Sequence, residues 1–415
     1  MENRQNLLVI NGGSSSIKFA MYQADNISVP ILSGGLENIG KDNSRFSFIN
    51  SINNVKETIP VEIENHASAA GYLLAWLEKQ DGFSTIKVVG HRIVHGMQHT
   101  NATTISPELL NELKQICPYD PEHLPAEIKL VEIFISRHPS IMQVACFDTA
   151  FHTTMPHTAQ LLPIPRMYFE RGIKRYGFHG LSYTYLIEAL QTMPGHDIPN
   201  EKIILAHLGS GTSLAAVKHR ECIDTSMGFT PTSGLLMGSR TGDLDPGVAW
   251  YLMQVEKMTP EQFNQLINHK SGLLGISGSS DDMKELIKRK PSDAHAAEAF
   301  ELFCYQTKKF IGSYAAALEG LDTLVFSGGI GEHSPDVRSQ VCDGLDFLGI
   351  QLDEIKNMNN AVTISTAASK VTVHVIKTDE QIMIARLAAE VWMNEREKSN
   401  KSGEIININS ARQHE

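Results

Sequence analysis

Residues 7–22 read LLVINGGSSSIKFAMY, and residues 202–217 read KIILAHLGSGTSLAAV. Each is an apolar run broken by a short Gly/Ser segment and resumed in the same apolar character, the pattern of two strands joined by a turn. In the first, Leu7–Ile10 leads into Asn11-Gly12-Gly13-Ser14-Ser15-Ser16 and Ile17–Tyr22 returns. In the second, Lys202–His207 leads into Gly209-Ser210-Gly211-Thr212 and Ser213–Val217 returns. One strand–turn–strand unit in each half of the chain hints at two related domains.

Outward from these hairpins the pattern alternates. Residues 67–79 have helical apolar spacing, and so do residues 121–138, with Ile128, Val131 and Ile135 on one face. Ile141–Phe147 reads as a buried strand ending on Asp148. Thr259-Pro260-Glu261-Gln262 has the form of a helix start, with a Thr cap, Pro at the first position and Gln at the third. A long helix is expected over 294–319. Leu324–Phe326 reads as a strand entering Ser327-Gly328-Gly329-Ile330-Gly331-Glu332. A last helix is expected from near Asp379 to about 397, followed by a loose polar tail over 398–415. Strands alternating with helices make the class α/β.

Composition bounds the function. At 415 residues the chain is too long for a single core, so about two domains are expected. A formal net charge of −11 disfavours nucleic acid and membrane surfaces as partners, since both attract basic proteins. The five cysteines, Cys117, Cys146, Cys222, Cys304 and Cys342, are scattered and form no CxxC, which fits a reducing compartment. The apolar run at the N-terminus is short for a signal peptide, and no stretch approaches the roughly 20 apolar residues of a membrane helix. A cytoplasmic enzyme is expected.

Three Gly/Ser-rich turns follow strands, at 11–16, 209–213 and 327–332. Glycine lets a backbone approach a phosphate, and N–H groups and hydroxyls then donate to its oxygens. None is a GxxxxGK[ST] loop, and each alone fits a plain tight turn. Lys18 lies just beyond the first, within reach of a phosphate or simply solvated. Arg92 sits between His91 and His95, and Arg240 sits in the glycine-rich, otherwise uncharged stretch 226–242; arginine suits planar carboxylate and phosphate recognition. Asp148 at a strand end could project a carboxylate into a cleft or cap a turn. His179 could serve the site or the core. Glu380 opens the last helix, where a carboxylate also suits the helix dipole.

With these residues assembled, the chain resembles the acetate kinase family, which includes propionate kinases, over roughly residues 6–395. The resemblance rests on NGGSSSIKF (11–19), GHRIVHG (90–96), FDTAFHTTMP (147–156), RYGFHG (175–180), HLGSGTS (207–213), DTSMGFTP (224–231), GDLDPG (242–247), FSGGIGEHS (326–334) and TDEQIMIAR (378–386). It implies two duplicated ribonuclease-H-like domains of the actin and Hsp70 type flanking a nucleotide-binding cleft. The expected boundaries are residues 1–150 with about 384–397 for the first domain and 151–383 for the second. It implies reversible phosphoryl transfer from ATP to acetate, with magnesium, or manganese in its place, and with ATP and ADP as co-substrates. A homodimer is implied as well.

Residue by residue, the resemblance matches Asn11 and Glu380 to magnesium-holding positions, and Lys18 to a nucleotide-phosphate contact. Arg92 matches the arginine that orients the substrate carboxylate, with Ile93, His123, Phe178 and Pro231 at other substrate-side positions. Asp148 matches the essential aspartate, read as orienting the site's cations or a magnesium-bound water. His179 and Arg240 match the pair that stabilises the transferring phosphoryl group. His207, Leu208, Gly209, Ser210 and Gly211 match the second phosphate loop. Gly328, Gly329, Ile330, Gly331 and Glu332 match the adenosine-side loop, and Asp282, Met283 and Lys284 match a further nucleotide contact.

The chain also departs from the family pattern. Ser210 stands for the asparagine of HLGNG, Lys284 for the arginine of DMR, and Met97 for a glycine. Leu181-Ser182-Tyr183 and Thr232-Ser233-Gly234 replace TSH and LEG. PLHNP becomes Pro121-Glu122-His123-Leu124-Pro125, setting an acid beside the acyl site. Propionate or another short-chain acid is therefore the alternative substrate. A nucleotide-binding member of the fold without turnover is the alternative outside catalysis.

Overall fold

The structure, a computed structural model, describes residues 5–13 and 16–411. It divides into two units: unit 1 comprises the chain up to Ala150 and again from Asp379, and unit 2 is the continuous segment Phe151–Thr378.

The first hairpin is β1 (Asn6–Gly12) and β2 (Ser16–Gln23), paired antiparallel from Asn6↔Gln23 to Gly12↔Ile17. Ser14 and Ser15, part of the expected turn, lie outside the described residues. Leu7, Leu8, Val9 and Ile10 are all buried, as a strand covered on both faces must be. Beyond β2 a meander adds β3 (Leu32–Glu37), β4 (Arg45–Asn50) and β5 (Val55–Pro60). On the other side of β1 come β6 (Ile86–Ile93), β8 (Met142–Phe147) and the short β7 (Thr103–Thr104). The sheet order is β5-β4-β3-β2-β1-β6-β8-β7, with β1, β6 and β8 mutually parallel.

Leu8, Ile10, Phe19 and Met21 point to one face, where Leu73, Leu74 and Leu77 of the His66–Leu77 helix and Leu130 and Phe134 of the Leu124–Arg137 helix cover them. The Glu380–Ala411 helix packs along β6, β1 and β8. Gly90 in β6 permits this approach: a Cβ there would stand 2.8 Å from Ile384 Cγ2 and 2.9 Å from Ala388 Cβ.

Unit 2 repeats the plan. Its sheet runs β11 (Glu221–Thr225), β10 (Thr212–Lys218), β9 (Lys202–Leu208), β12 (Thr323–Ser327), β13 (Thr372–Val375). β9 pairs antiparallel with β10 and parallel with β12, and β12 is parallel to β13. The order and directions match β3-β2-β1-β6-β8, so the two units share one topology. Ile204, Ala206, Leu214 and Ala216 pack under Phe300, Phe303 and Ile311 of the Ala294–Ala317 helix. Ile203, Leu205, Ala215 and Val217 meet Tyr183, Leu186 and Leu190 of the Gly180–Thr192 helix. Alternate residues of each strand thus feed opposite helical layers. The helix expected to start at Thr259 spans Pro260–His269 and has a capping box: Thr259 Oγ1 accepts from Gln262 N–H at 3.2 Å, and Gln262 Oε1 accepts from Thr259 N–H at 2.9 Å.

Two sequence expectations need correction. The last helix does not end near 397 with a loose tail over 398–415; it continues to Ala411, while residues 412–415 lie outside the described residues. The run SNKSGEI is poor in helix formers, but a helix already nucleated on a packed face adds one hydrogen bond for each residue it fixes. The chain also returns to unit 1 at Asp379 rather than near 384, because the helix's first turn is tied to β1 through Glu380 and Asn11.

Candidate active site

In unit 1 the candidate residues gather at the carboxyl ends of the parallel strands, where open α/β sheets place ligands. Asn11 is near the end of β1, Arg92 and Ile93 close β6, and Asp148 follows β8, with its N–H donating to Ile93 O at 3.0 Å. The Arg92 guanidinium is held on three sides. Its Nε and Nη2 donate to Asp148 Oδ2 at 2.9 and 2.5 Å, and its Nη1 donates to Gly12 O at 2.9 Å and to Glu127 Oε1 at 3.2 Å. Burial alone would weaken its charge, but Asp148 and Glu127 raise its basicity above the ordinary value.

Glu127 was not among the sequence candidates. Its Oε2 accepts the Val94 N–H at 2.8 Å and its side chain is 3% exposed. Burial, opposed by Arg92 and by the Val94 N–H, pushes its carboxyl up to about 8. The sequence carries a signal: Leu124, Glu127, Ile128 and Val131 lie on the buried stripe of one helix, and a lone acid on an apolar stripe needs a partner. His123 immediately precedes that helix, and its Nδ1 lies 2.9 Å from Asp120 Oδ1, with both side chains buried. His91, the neighbour of Arg92, is a core histidine: burial pushes it down to about 4, and its Nε2 contacts Gln143 Oε1 at 2.7 Å. Glu122, flagged beside the acyl site, is half-buried.

Asn11 Nδ2 donates to Glu380 Oε2 at 2.9 Å, and Lys18 stands directly across the hairpin from Asn11, exposed. The Asn11 carbonyl oxygen and the Glu380 carboxylate are hard donors of the kind magnesium takes. Among the described residues no three His, Cys, Asp or Glu side chains form a metal cage. Magnesium in kinases is held by one or two carboxylates together with phosphate oxygens and water, so this donor set fits a metal that arrives with a nucleotide.

In unit 2 the second and third glycine turns stand side by side, because β9 and β12 are parallel neighbours with Ser327 opposite His207. Gly209 N–H donates to Gly211 O at 3.1 Å and Thr212 Oγ1 donates to Gly209 O at 3.0 Å, closing the first of them tightly. Ser210 is exposed at its tip, and its carbonyl accepts the Gly238 N–H at 3.2 Å. Gly328 takes φ +75°, and a Cβ there would come within 2.6 Å of Leu208 O. Glu332 Oε1 accepts the N–H groups of Gly328 and Thr378 at 3.0 and 3.1 Å, so this carboxylate braces the loop from behind.

His179 sits at φ +59°, a left-handed conformation that turns its ring out of the helix it precedes. Its Nδ1 contacts Ser213 Oγ at 2.8 Å, and its ring stacks on His207 at 4.3 Å. His207 is steadied in turn by Ser182 Oγ at 2.9 Å. A Cβ on Gly211 would lie 3.2 Å from His179 Nε2 and 3.9 Å from Arg240 Nη1. The loop, the imidazole and the guanidinium thus converge on one spot, and Arg240 is oriented by donating to Pro231 O at 3.1 Å. Phe178 and Pro231 are buried nearby in sequence. In the 282–284 stretch, Asp282 caps a helix through Lys284 N–H at 2.9 Å and Met283 belongs to the core, while Asp282 and Lys284 are exposed. Ser182 and Ser213, which position the two histidines, were not among the sequence candidates either; small hydroxyls in buried segments carry little signal of their own.

The family model described as the acetokinase family matches residues 6–386. The chain belongs to that family. Within the acetokinase family it is 42% identical over 393 residues to an acetate kinase of Rhodopseudomonas palustris, covering 93% of this chain and 97% of that one. It is 41% identical over 391 residues to an acetate kinase of Thermoanaerobacterium thermosaccharolyticum, covering 92% and 97%. The crystal structure of Porphyromonas gingivalis acetate kinase superimposes with a TM-score of 0.82 at 37% identity, covering 93% of this chain and 99% of that one. A propionate kinase from Francisella tularensis superimposes with a TM-score of 0.86 at 34% identity, covering 93% and 100%.

Proposed function

We propose that this chain is an acetate kinase, moving the γ-phosphoryl group of ATP reversibly onto acetate to give acetyl phosphate and ADP. The observation that carries the reading is the convergence of His179 Nε2 and Arg240 Nη1 on Gly211, in a chain that matches acetate kinases over nearly its whole length. Phosphoryl transfer passes through a loose transition state whose charge spreads over the equatorial oxygens. Donors fixed beforehand around those oxygens lower the barrier more than any proton transfer would.

A carboxylate is already a nucleophile at neutral pH, so no general base is required. In this reading Arg92 orients the acyl carboxylate, Asp148 and Glu127 fix Arg92, and Ile93, His123, Phe178 and Pro231 contact the acyl group. A carboxylate oxygen attacks the γ-phosphorus in line with the departing β–γ bridging oxygen, and ADP takes the electron pair. His179 and Arg240 donate to the transferring group. Lys18, the 207–211 and 328–332 loops and residues 282–284 hold the nucleotide. Magnesium, or manganese, held by Asn11 and Glu380 with phosphate oxygens, supplies charge neutralisation when bound.

A cytoplasmic homodimer without nucleic-acid or membrane partners completes the reading. It is supported by the net charge of −11 and by the Pro246–Gln254 helix. That helix buries no residue and leaves Trp250 69% and Tyr251 53% exposed, an apolar face for a second copy. Light scattering should return twice the chain mass.

The test of function is the initial rate of hydroxylamine-trapped acyl phosphate with Mg-ATP across formate, acetate, propionate and butyrate. Saturable turnover favouring acetate is expected. A preference for propionate, suggested by the TM-score of 0.86 to a propionate kinase, would keep the kinase and change its substrate. No turnover with any acid by a chain that binds ATP would leave a nucleotide-binding protein and sink the reading.

A further inference from the structure

Negative charge is in excess around Arg92. The guanidinium meets Asp148 at 2.5 Å and Glu127 at 3.2 Å, and Glu380 also acts on it. Glu127 in turn is faced by Arg92 from β6, by Asp148 beyond β8, and by Asp120 ahead of its own helix, with the His123 imidazole against Asp120. If Asp148 and Glu127 are both ionised, the cation is already overcompensated. A substrate carboxylate would then be one more anion on one buried guanidinium, where like charges repel strongly.

The two acids are not equivalent. Asp148 takes two guanidinium N–H groups on one oxygen, a charge-assisted arrangement that favours the ionised form. Glu127 takes a neutral backbone N–H on Oε2 and a single, longer guanidinium contact on Oε1. A proton on Oε1 keeps both contacts, since a hydroxyl oxygen still accepts.

Resting on the carboxylate-kinase reading, we propose that Glu127 is protonated whenever the enzyme holds its carboxylate substrate, so that above the pH at which Glu127 ionises, substrate capture on Arg92 takes up one proton. The proton comes from solvent and adds to Oε1; no other bond changes. Glu127 acts through Arg92 and is a positioning residue. Its burial, reinforced by Asp120 and Asp148, holds the carboxyl up at about 8.

The test is the KM for acetate at saturating Mg-ATP from pH 6.5 to 9.5, in the wild type and in Glu127→Gln. The wild-type KM should rise by about tenfold per unit above about pH 8, the slope of a single proton. In E127Q, neutral at every pH, that rise should vanish. Gln offers one acceptor where Glu offers two, so the readout is the slope of KM with pH, not the size of kcat. A rise shared by both proteins overturns the proposal and leaves the kinase reading intact. Absence of acyl phosphate from the wild type with any acid overturns both. A second measurement needs no variant: calorimetric titration of acetate into wild type with Mg-ADP at pH 9, in two buffers of different ionisation enthalpy. Uptake near one proton per acetate is expected, and uptake of none overturns the proposal.

Discussion

Arg92 uses four N–H contacts on Asp148, Gly12 and Glu127, so its position depends on its neighbours' charge as much as on its own strand. Asp148→Asn places an amide N–H₂ within reach of the guanidinium and removes the anion that holds it. Turnover should fall by about 100-fold, the cost of a misplacement near 1 Å, and acyl phosphate formation at saturating substrates measures it; near-normal turnover would remove Asp148 from this role. Glu127 makes a second prediction. Its carboxyl moves from 4.5 up to about 8 on folding, so between those values the native state binds more protons than the unfolded chain. Its contribution to stability is therefore full below about pH 4.5 and is lost as pH rises to about 8. Comparing denaturant midpoints at pH 6 and pH 8.5, the wild type should lose stability that E127Q does not. Arg92 and Asp148 were legible as candidates because each sits in a motif at a strand end. Glu127 was not, because an acid on a helical stripe reads first as a surface charge, and its partners Arg92 and Val94 arrive from β6 and the residues just beyond it.

At the scale of elements, the two hairpins were legible because long aliphatic runs stop at Gly/Ser turns. The meander Leu32–Pro60 was not. Its strands carry Ser33, Gly34 and Gly35, poor strand formers, yet a Cβ at Gly34 would stand 2.2 Å from Ser47 O. Close backbone approach there selects glycine against its propensity. The same logic applies to Gly90, where the chain needs room for Ile384 and Ala388. Gly90→Ala should push the Glu380–Ala411 helix off the sheet and destabilise by about 1–3 kcal/mol, the usual cost of overpacking. Chemical denaturation followed by circular dichroism measures it, and an unchanged midpoint would mean the helix lies less tightly than described.

For the molecule as a whole, unit 2 is one continuous stretch with its own layered core. Residues 151–378 produced alone should therefore fold cooperatively, with a sigmoidal thermal transition by circular dichroism. Residues 1–150 produced alone should not, because β1, β6 and β8 would lack the helix that begins at Glu380. Two soluble, cooperatively melting fragments would contradict that division. The repeated hairpin hinted at two related domains, and the family resemblance implied their duplicated fold; the five-strand order and directions they share come from the structure. The return of the chain to unit 1 was only partly so, because a polar terminal run gives no sign of where its helix stops.

That returning helix also sets an order of events at the ribosome. When Ala150 has emerged, every strand of unit 1 exists, but the helix that covers β6, β1 and β8 has not been translated. The intervening segment takes roughly 10–45 s to synthesise at 5–20 residues per second, far longer than a domain needs to fold. Unit 2 can close while unit 1 waits with one face of its sheet bare. The nascent chain is most vulnerable in that interval to chaperone capture or to misassembly with a neighbouring copy on the same message.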